Sequence, residues 1–199
     1  MTYAKLYSRS SCSGNPALVT IEVHLSPGLP KFNIVGLAET ATKESKDRVR
    51  SAIISSNLQF PNKRITINLA PADLPKRGSH YDLAIAIGIL IASAQLSCNN
   101  LEMYEFFGEL GLQGEVKAIA AVLALAQAAN KSSRIPVAAI ENCDRISAIL
   151  QSESLSTASL AEICAHLAGT KKLEHIKAKE GNTDKSKPHY MCINNIVDQ

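Results

Sequence analysis

Nowhere does this 199-residue chain contain GxxxxGK followed by Ser or Thr, the glycine-rich cradle whose backbone N–H groups wrap nucleotide phosphates. The nearest element, Lys76-Arg77-Gly78, has the wrong order, so these residues alone are not expected to hydrolyse ATP. The start, Met1 to Ser10, lacks an apolar core of the kind a secretory leader needs. The longest apolar run, Leu83 to Ala94, is too short to cross a bilayer and predicts a core helix. The reading is therefore cytoplasmic, with no membrane partner. Five cysteines (Cys12, Cys98, Cys143, Cys164, Cys192) are scattered without any CxxC pair, which argues against a zinc site or redox couple and for buried or incidental thiols.

A general excess of positive charge is missing too. The formal net charge is +3. Between Lys171 and Lys187, six lysines face only Glu174, Glu180 and Asp184, so that stretch alone carries the whole excess. The rest is formally neutral, whereas a domain holding DNA by itself is expected to show a basic footprint.

What is present is ordinary globular composition, 46% apolar and 20% charged. Ala17–Leu25 and Lys31–Val35 are β-branched runs separated by Ser26-Pro-Gly-Leu-Pro30, two strands joined by a turn, with Ala4–Ser8 as an edge strand before them. Glu39–Ser56 reads as a helix, Lys63–Leu69 as an alternating strand, and Leu83–Leu96 as a helix with no polar stripe. Tyr104–Leu110 and Glu115–Ile119 flank Gly111-Leu-Gln-Gly114 as a hairpin. Ala120–Asn130 is helical, and Ile135–Ile140 is a short strand whose Pro136 argues for an edge or a strand start. Asp144–Gln151 and Ser159–Ala168 close the body as helices, the last opened by a Ser159/Glu162 capping box. This order predicts an α+β (mixed α/β) fold. The expected layout is a domain over 1–169, a flexible basic linker over 170–188 and an amphipathic segment over 189–199.

The loop Pro75–Asp82 invites a catalytic reading. Ser79, His80 and Asp82 are the residue types of a hydrolytic triad, but side chains one and three apart at a helix start diverge, whereas a triad needs them in one hydrogen-bonded row. The plainer expectation is that Ser79 caps the following helix and Asp82 reaches back to it. Lys43, Lys46, Arg48 and Arg50 interleave with Glu39, Glu44 and Asp47, the pattern of a solvated, ion-paired helix face. Lys63-Arg64 and Lys76-Arg77 are two small basic spots suited to a partner's acids or a phosphate. His24 reads as a surface residue, and His80 and His166 have no metal partner at helical spacing.

Three motifs carry a family resemblance: Gly28-Leu-Pro-Lys-Phe-Asn-Ile-Val-Gly-Leu37, the Glu39–Ala52 helix, and Asn68 through Leu90 with Pro75-Lys-Arg-Gly-Ser-His-Tyr-Asp82 at its centre. In that order they resemble the amino-terminal domain of the Mg-chelatase-like AAA+ ATPases, the ComM/YifB family, from about Tyr3 to about Gly169. The resemblance implies a Lon proteolytic-domain-like fold, also described as ribosomal protein S5 domain 2-like. Lon uses a Ser–Lys dyad. Pro75-Lys76-Arg77-Gly78 matches the start of Lon's serine motif, but the serine's place falls on His80. Gly108-Glu-Leu-Gly-Leu-Gln-Gly114 matches the second motif, yet the lysine's place falls on Leu123. A shifted dyad would have to use Ser79 with Lys117.

The resemblance thus implies a non-catalytic scaffold, cut before an AAA+ core that residues 189–199 would lead into. It also implies a hexameric motor that moves along DNA and promotes branch migration in natural transformation. Catalytic, cofactor-binding and metal residues are expected to be absent from this chain, with ATP and magnesium belonging to the missing core. Ring neighbours in a homohexamer, and DNA through the assembled ring, are the expected partners. Asp73, Lys76, Arg77 and Asp82 are assigned to the interaction loop. Two alternatives stand beside this reading: a residual serine peptidase using Ser79, and an independent nucleic-acid-binding module.

Overall fold

Alternation builds the first sheet. In β2 (Ala17–Ser26) Val19, Ile21, Val23 and Leu25 are buried, while Thr20, Glu22 and His24 point the other way. In β4 (Arg64–Ala70) Ile65, Ile67 and Leu69 repeat the pattern, and the register sets Ile21 opposite Leu69 and Val23 opposite Ile67. A period of two puts every second side chain on one face, so a single register buries both apolar rows together. The computed structural model describes residues 2–10, 16–150 and 152–176. β1 (Tyr3–Ser10) pairs antiparallel with β2, and β3 (Lys31–Val35) pairs parallel with β4, giving the order β1-β2-β4-β3. The expected edge strand is there, longer than the sequence suggested.

The parallel β3–β4 pair needs a crossover, supplied by α1 (Thr40–Lys43) and α2 (Ser45–Ser55). The buried face of the sheet is covered by α3 (Asp82–Ala92), in which every residue is buried. Gly88 lets this helix approach closely: a Cβ there would sit 2.5 Å from Val23 Cγ2 and 2.8 Å from Leu6 Cδ1. α3 stops at Ala92 rather than Leu96.

A second sheet has the order β10-β9-β8-β5, from β5 (Tyr104–Phe107), β8 (Ile135–Ala138), β9 (Ser154–Ser156) and β10 (His175–Ile176). β8 lies inside this sheet, not at its edge. Pro136 is tolerated because the β8–β9 ladder begins only at Val137, so its missing N–H falls before that pairing starts. α4 (Val122–Lys131) and α5 (Ile140–Leu150) pack on this sheet around a smaller apolar cluster with Phe107 and Val137's neighbour Ala138. α5 begins at Ile140, earlier than expected.

Gly108 interrupts the run Tyr104–Leu110. β5 joins the second sheet, and only β6 (Glu109–Leu110) pairs with β7 (Val116–Lys117) in the hairpin. α6 (Leu160–Leu167) starts at the Ser159 cap: the Glu162 N–H donates to Ser159 Oγ at 3.3 Å. The Glu162 carboxylate answers one residue early, accepting from the Ala158 N–H at 3.1 Å. The ordered body passes Gly169, since β10 pairs with β9 inside the stretch expected to be linker. The remainder of that linker and the 189–199 segment lie outside the described residues, as do Cys12 and Cys192. The architecture is α+β with mixed sheets, and no helix among the described residues is long and apolar enough to cross a membrane.

Candidate functional site

The loop between β4 and α3 is held from three sides. The segment after β3 lies against it: the Glu39 N–H donates to Lys76 O and the Lys76 N–H to Leu37 O, both at 3.2 Å. Close contact there requires Gly36, at φ +99°, where a Cβ would stand 2.1 Å from Leu69 O. The Thr42 hydroxyl sits 3.0 Å from Lys76 O and 2.9 Å from Gly78 O. The end of β1 holds the loop from its other side, with Ser10 Oγ donating to Pro75 O at 2.9 Å and His80 Nε2 donating to Arg9 O at 2.8 Å. Arg9 is itself seated by a two-point pair with the buried Glu105, at 2.7 and 2.8 Å, and Arg134 reaches the same carboxylate at 3.4 Å.

The four residues assigned to the interaction loop separate here. Asp73 and Arg77 are exposed, and Arg77 Nε pairs with Glu39 Oε1 at 2.6 Å. Lys76 and Asp82 are buried. The surface expectation is corrected for both. Lys76 turns inward and donates from Nζ to the Pro71 carbonyl, and burial lowers its pKa, opposed by the nearby Asp73. Asp82 accepts from Arg48 Nε at 2.6 Å, from the Ser45 hydroxyl and from the Leu110 N–H at 3.3 Å. Burial pushes the Asp82 carboxyl up, against the pull of Arg48, Ser45 and Leu110. In return its hydrogen bond raises the Arg48 guanidinium.

Asp82 therefore does not reach back to cap α3. That helix has Tyr81 at its N-cap with no side-chain cap bond, and the Asp82 N–H goes to the Ser79 carbonyl at 3.1 Å. A buried carboxylate gains more from a guanidinium than from a helix amide. Arg48, expected on a solvated ion-paired face, finds its partner in α3 instead of among the acids one turn away.

Ser79 donates its hydroxyl to Glu109. Burial lowers the His80 pKa, so the ring stays neutral with its proton on Nε2 toward Arg9 O. Ser79, His80 and Asp82 thus go to three different partners and form no row. Lys117, the partner in a shifted dyad, has Nζ 3.8 Å from Glu115 Oε1. A cleft of about 340 Å³ opens here, lined by Arg77, Ser79, His80, Glu109 and the 118–121 stretch before α4. Glu109 went unnoticed in the sequence as a partner for Ser79. Its only signal was its place in the Gly108–Gly114 motif. No group of three His, Cys, Asp or Glu among the described residues could hold a metal ion.

The family model described as subunit ChlI of Mg-chelatase matches residues 21–157, a span holding the loop, both partners of the Asp82–Arg48 pair, and Glu109. The chain belongs to this family. It is 45% identical to YifB of Escherichia coli over 177 residues, 89% of this chain and 35% of that protein. It is 44% identical to YifB of Salmonella typhimurium over 180 residues, covering 90% and 36%. It is 45% identical to the competence protein ComM of Haemophilus influenzae over 173 residues, covering 87% and 34%. The chain spans about a third of the length of these relatives.

Proposed function

We propose that this chain is the non-catalytic amino-terminal domain of a Mg-chelatase-like, ComM/YifB-type AAA+ ATPase. The full-length protein would act as a hexameric motor driving branch migration of DNA during natural transformation, in the cytoplasm. ATP and magnesium would be held by the rest of the protein; no residue here resembles their cradle. The domain's task is to brace ring neighbours, with DNA engaged through the assembled ring.

One observation carries the non-catalytic part. The Ser79 hydroxyl is committed to Glu109, and the Lon serine and lysine positions hold His80 and Leu123. A serine nucleophile needs a base placed to take its proton and a group to orient that base. Here His80 is turned to a backbone carbonyl and Leu123 has no titratable group. A fluorophosphonate probe tests this on the chain as it stands: no covalent labelling is expected, and labelling lost in Ser79→Ala would establish a peptidase instead.

The bracing role rests on Asp73 and Arg77, the exposed charges of a loop pinned on three sides. Reversing their charges at the equivalent positions of a full-length relative should weaken ring assembly in analytical ultracentrifugation. Unchanged hexamers with unchanged DNA-dependent ATP hydrolysis would reject this surface.

A further inference from the structure

Formal neutrality of the body conceals where its cations lie. Among the described residues, Arg9 and Arg134 are paired with Glu105, Arg48 with Asp82, Arg77 with Glu39, Lys117 with Glu115 and Lys171 with Glu162. Four cations that carry no such ion pair gather at one end of the first sheet. Lys31 and Arg64 face each other in register across β3 and β4, on the sheet face opposite the buried Ile65. Lys63 precedes Arg64, and Arg50 comes from the later part of α2. All four are exposed.

Three of them, Lys31, Arg50 and Lys63, line a notch of about 120 Å³ with Phe32 and Phe60 and no acidic residue, while Arg64, on the other face of the sheet from Ile65, does not. The two phenyl rings stand 5.8 Å apart, and the Arg50 guanidinium lies 4.9 Å over the centre of the Phe60 ring. A guanidinium is planar as well as charged, so Arg50, held over one ring, is a flat platform on which a second ring can stack. A row of cations around such a platform fits a ligand alternating phosphates with flat rings.

We infer that this notch binds single-stranded nucleic acid, with phosphates on Lys31 and Lys63 and a base stacked on Arg50, itself seated over Phe60. A duplex offers the same phosphates but keeps its bases inside the stack, so it cannot use the platform. An acidic polypeptide can use the charges and lacks the rings. The notch lies at the start of β3, at the strand's opposite end from the Asp73/Arg77 loop. It stands independently of the ring-bracing role and can be tested without a ring.

The test is fluorescence anisotropy on the whole 199-residue chain with a labelled oligothymidylate, a duplex of equal length and a polyglutamate peptide. Tighter binding of the single strand is expected. Lys31→Gln and Lys63→Gln should each reduce the salt dependence of log K by about 0.7. Arg50→Lys keeps the charge and removes the plane. It should weaken the single strand about fivefold or more while leaving duplex and polyglutamate binding unchanged. Phe60→Leu should act in the same direction. Thermal unfolding of the charge variants should match the parent, since the substituted charges are exposed. Equal binding of all three polymers would overturn the assignment. So would full binding in the triple Lys31/Arg50/Lys63→Gln variant together with loss on replacing Lys171 and Lys172.

Discussion

Arg48 and Asp82 are thirty-four residues apart in sequence, and their side chains meet at 2.6 Å. The Asp82 side chain has no exposed surface and the Arg48 side chain about a fifth, 21%. Through this pair, and through the Ser45 hydroxyl and the Leu110 N–H, α2, α3 and the β6 strand share one acceptor. Removing the cation strands a buried carboxylate, which costs far more than the pair itself contributes. Arg48→Met is therefore expected to destabilise the fold by about 2–4 kcal/mol. The figure is set below the fully buried range because part of the Arg48 side chain already meets water. Urea unfolding at neutral pH reads this directly, and a loss under about 0.5 kcal/mol, the size of an exposed pair, would contradict it.

The Ser79–Glu109 contact is a smaller matter, since both residues are half-buried. Ser79→Ala should lower stability by about 1 kcal/mol, the ordinary worth of a hydrogen bond to a charged group in partial contact with water. Ser79→Thr, which keeps the hydroxyl, should recover most of that. If alanine stabilised the domain instead, the contact would not describe the dominant state of the loop.

The sequence showed those features whose causes are local. Alternation marked Val19, Ile21, Val23 and Leu25, and a three-residue spacing marked the Ser159/Glu162 cap, because each is decided within a few residues. Where partners come from afar, local reading misdirected. Asp82 looked like a cap because Ser79 is near in sequence, and only the folded chain brings Arg48 to it. Lys76 looked like surface charge in a polar loop, yet the segment 37–42 folds over it. Pro136 suggested an edge or a strand start, and the second holds, since it is the second residue of β8 and precedes the β8–β9 ladder. β10 was hidden in a lysine-rich stretch, where two residues suffice to pair with β9. Lys63-Arg64 stood out as a basic spot, but Lys31 and Arg50 did not, because they come from separate elements and only the fold brings them beside it.

Two histidines should make the domain sensitive to mild acid. Burial lowers the pKa of His80, and burial together with His175 lowers that of His166. A base whose folded value is depressed stays neutral in the native state while the unfolded chain takes up a proton. Its contribution is present above the ordinary value of 6.5 and is lost as pH falls toward the folded value. In that window each histidine can add a slope of up to about 1.4 kcal/mol per pH unit. Denaturation midpoints should thus fall between pH 7.5 and 5.5. His80→Gln should flatten the fall, and the double variant with His166→Gln should flatten it further. Equal slopes in parent and double variant would assign the acid sensitivity to other groups.

Two glycines separate backbone from side-chain crowding. At Gly36 an added Cβ meets a carbonyl oxygen of β4 at 2.1 Å, and the φ of +99° disfavours any side chain. Neither can relax without moving a strand whose register buries Ile65, Ile67 and Leu69, so Gly36→Ala should cost more than about 3 kcal/mol. At Gly88 the obstacles are methyl groups of Val23 and Leu6, in a helix where alanine is intrinsically preferred by about 1 kcal/mol. Overpacking of about 1–3 kcal/mol opposes that gain, leaving a net loss below about 2 kcal/mol. The order of the two is the decisive result. If Gly88→Ala proved the more damaging in chemical denaturation, the tight point of the fold would be the α3–sheet contact and not the hinge that seats the β4–α3 loop.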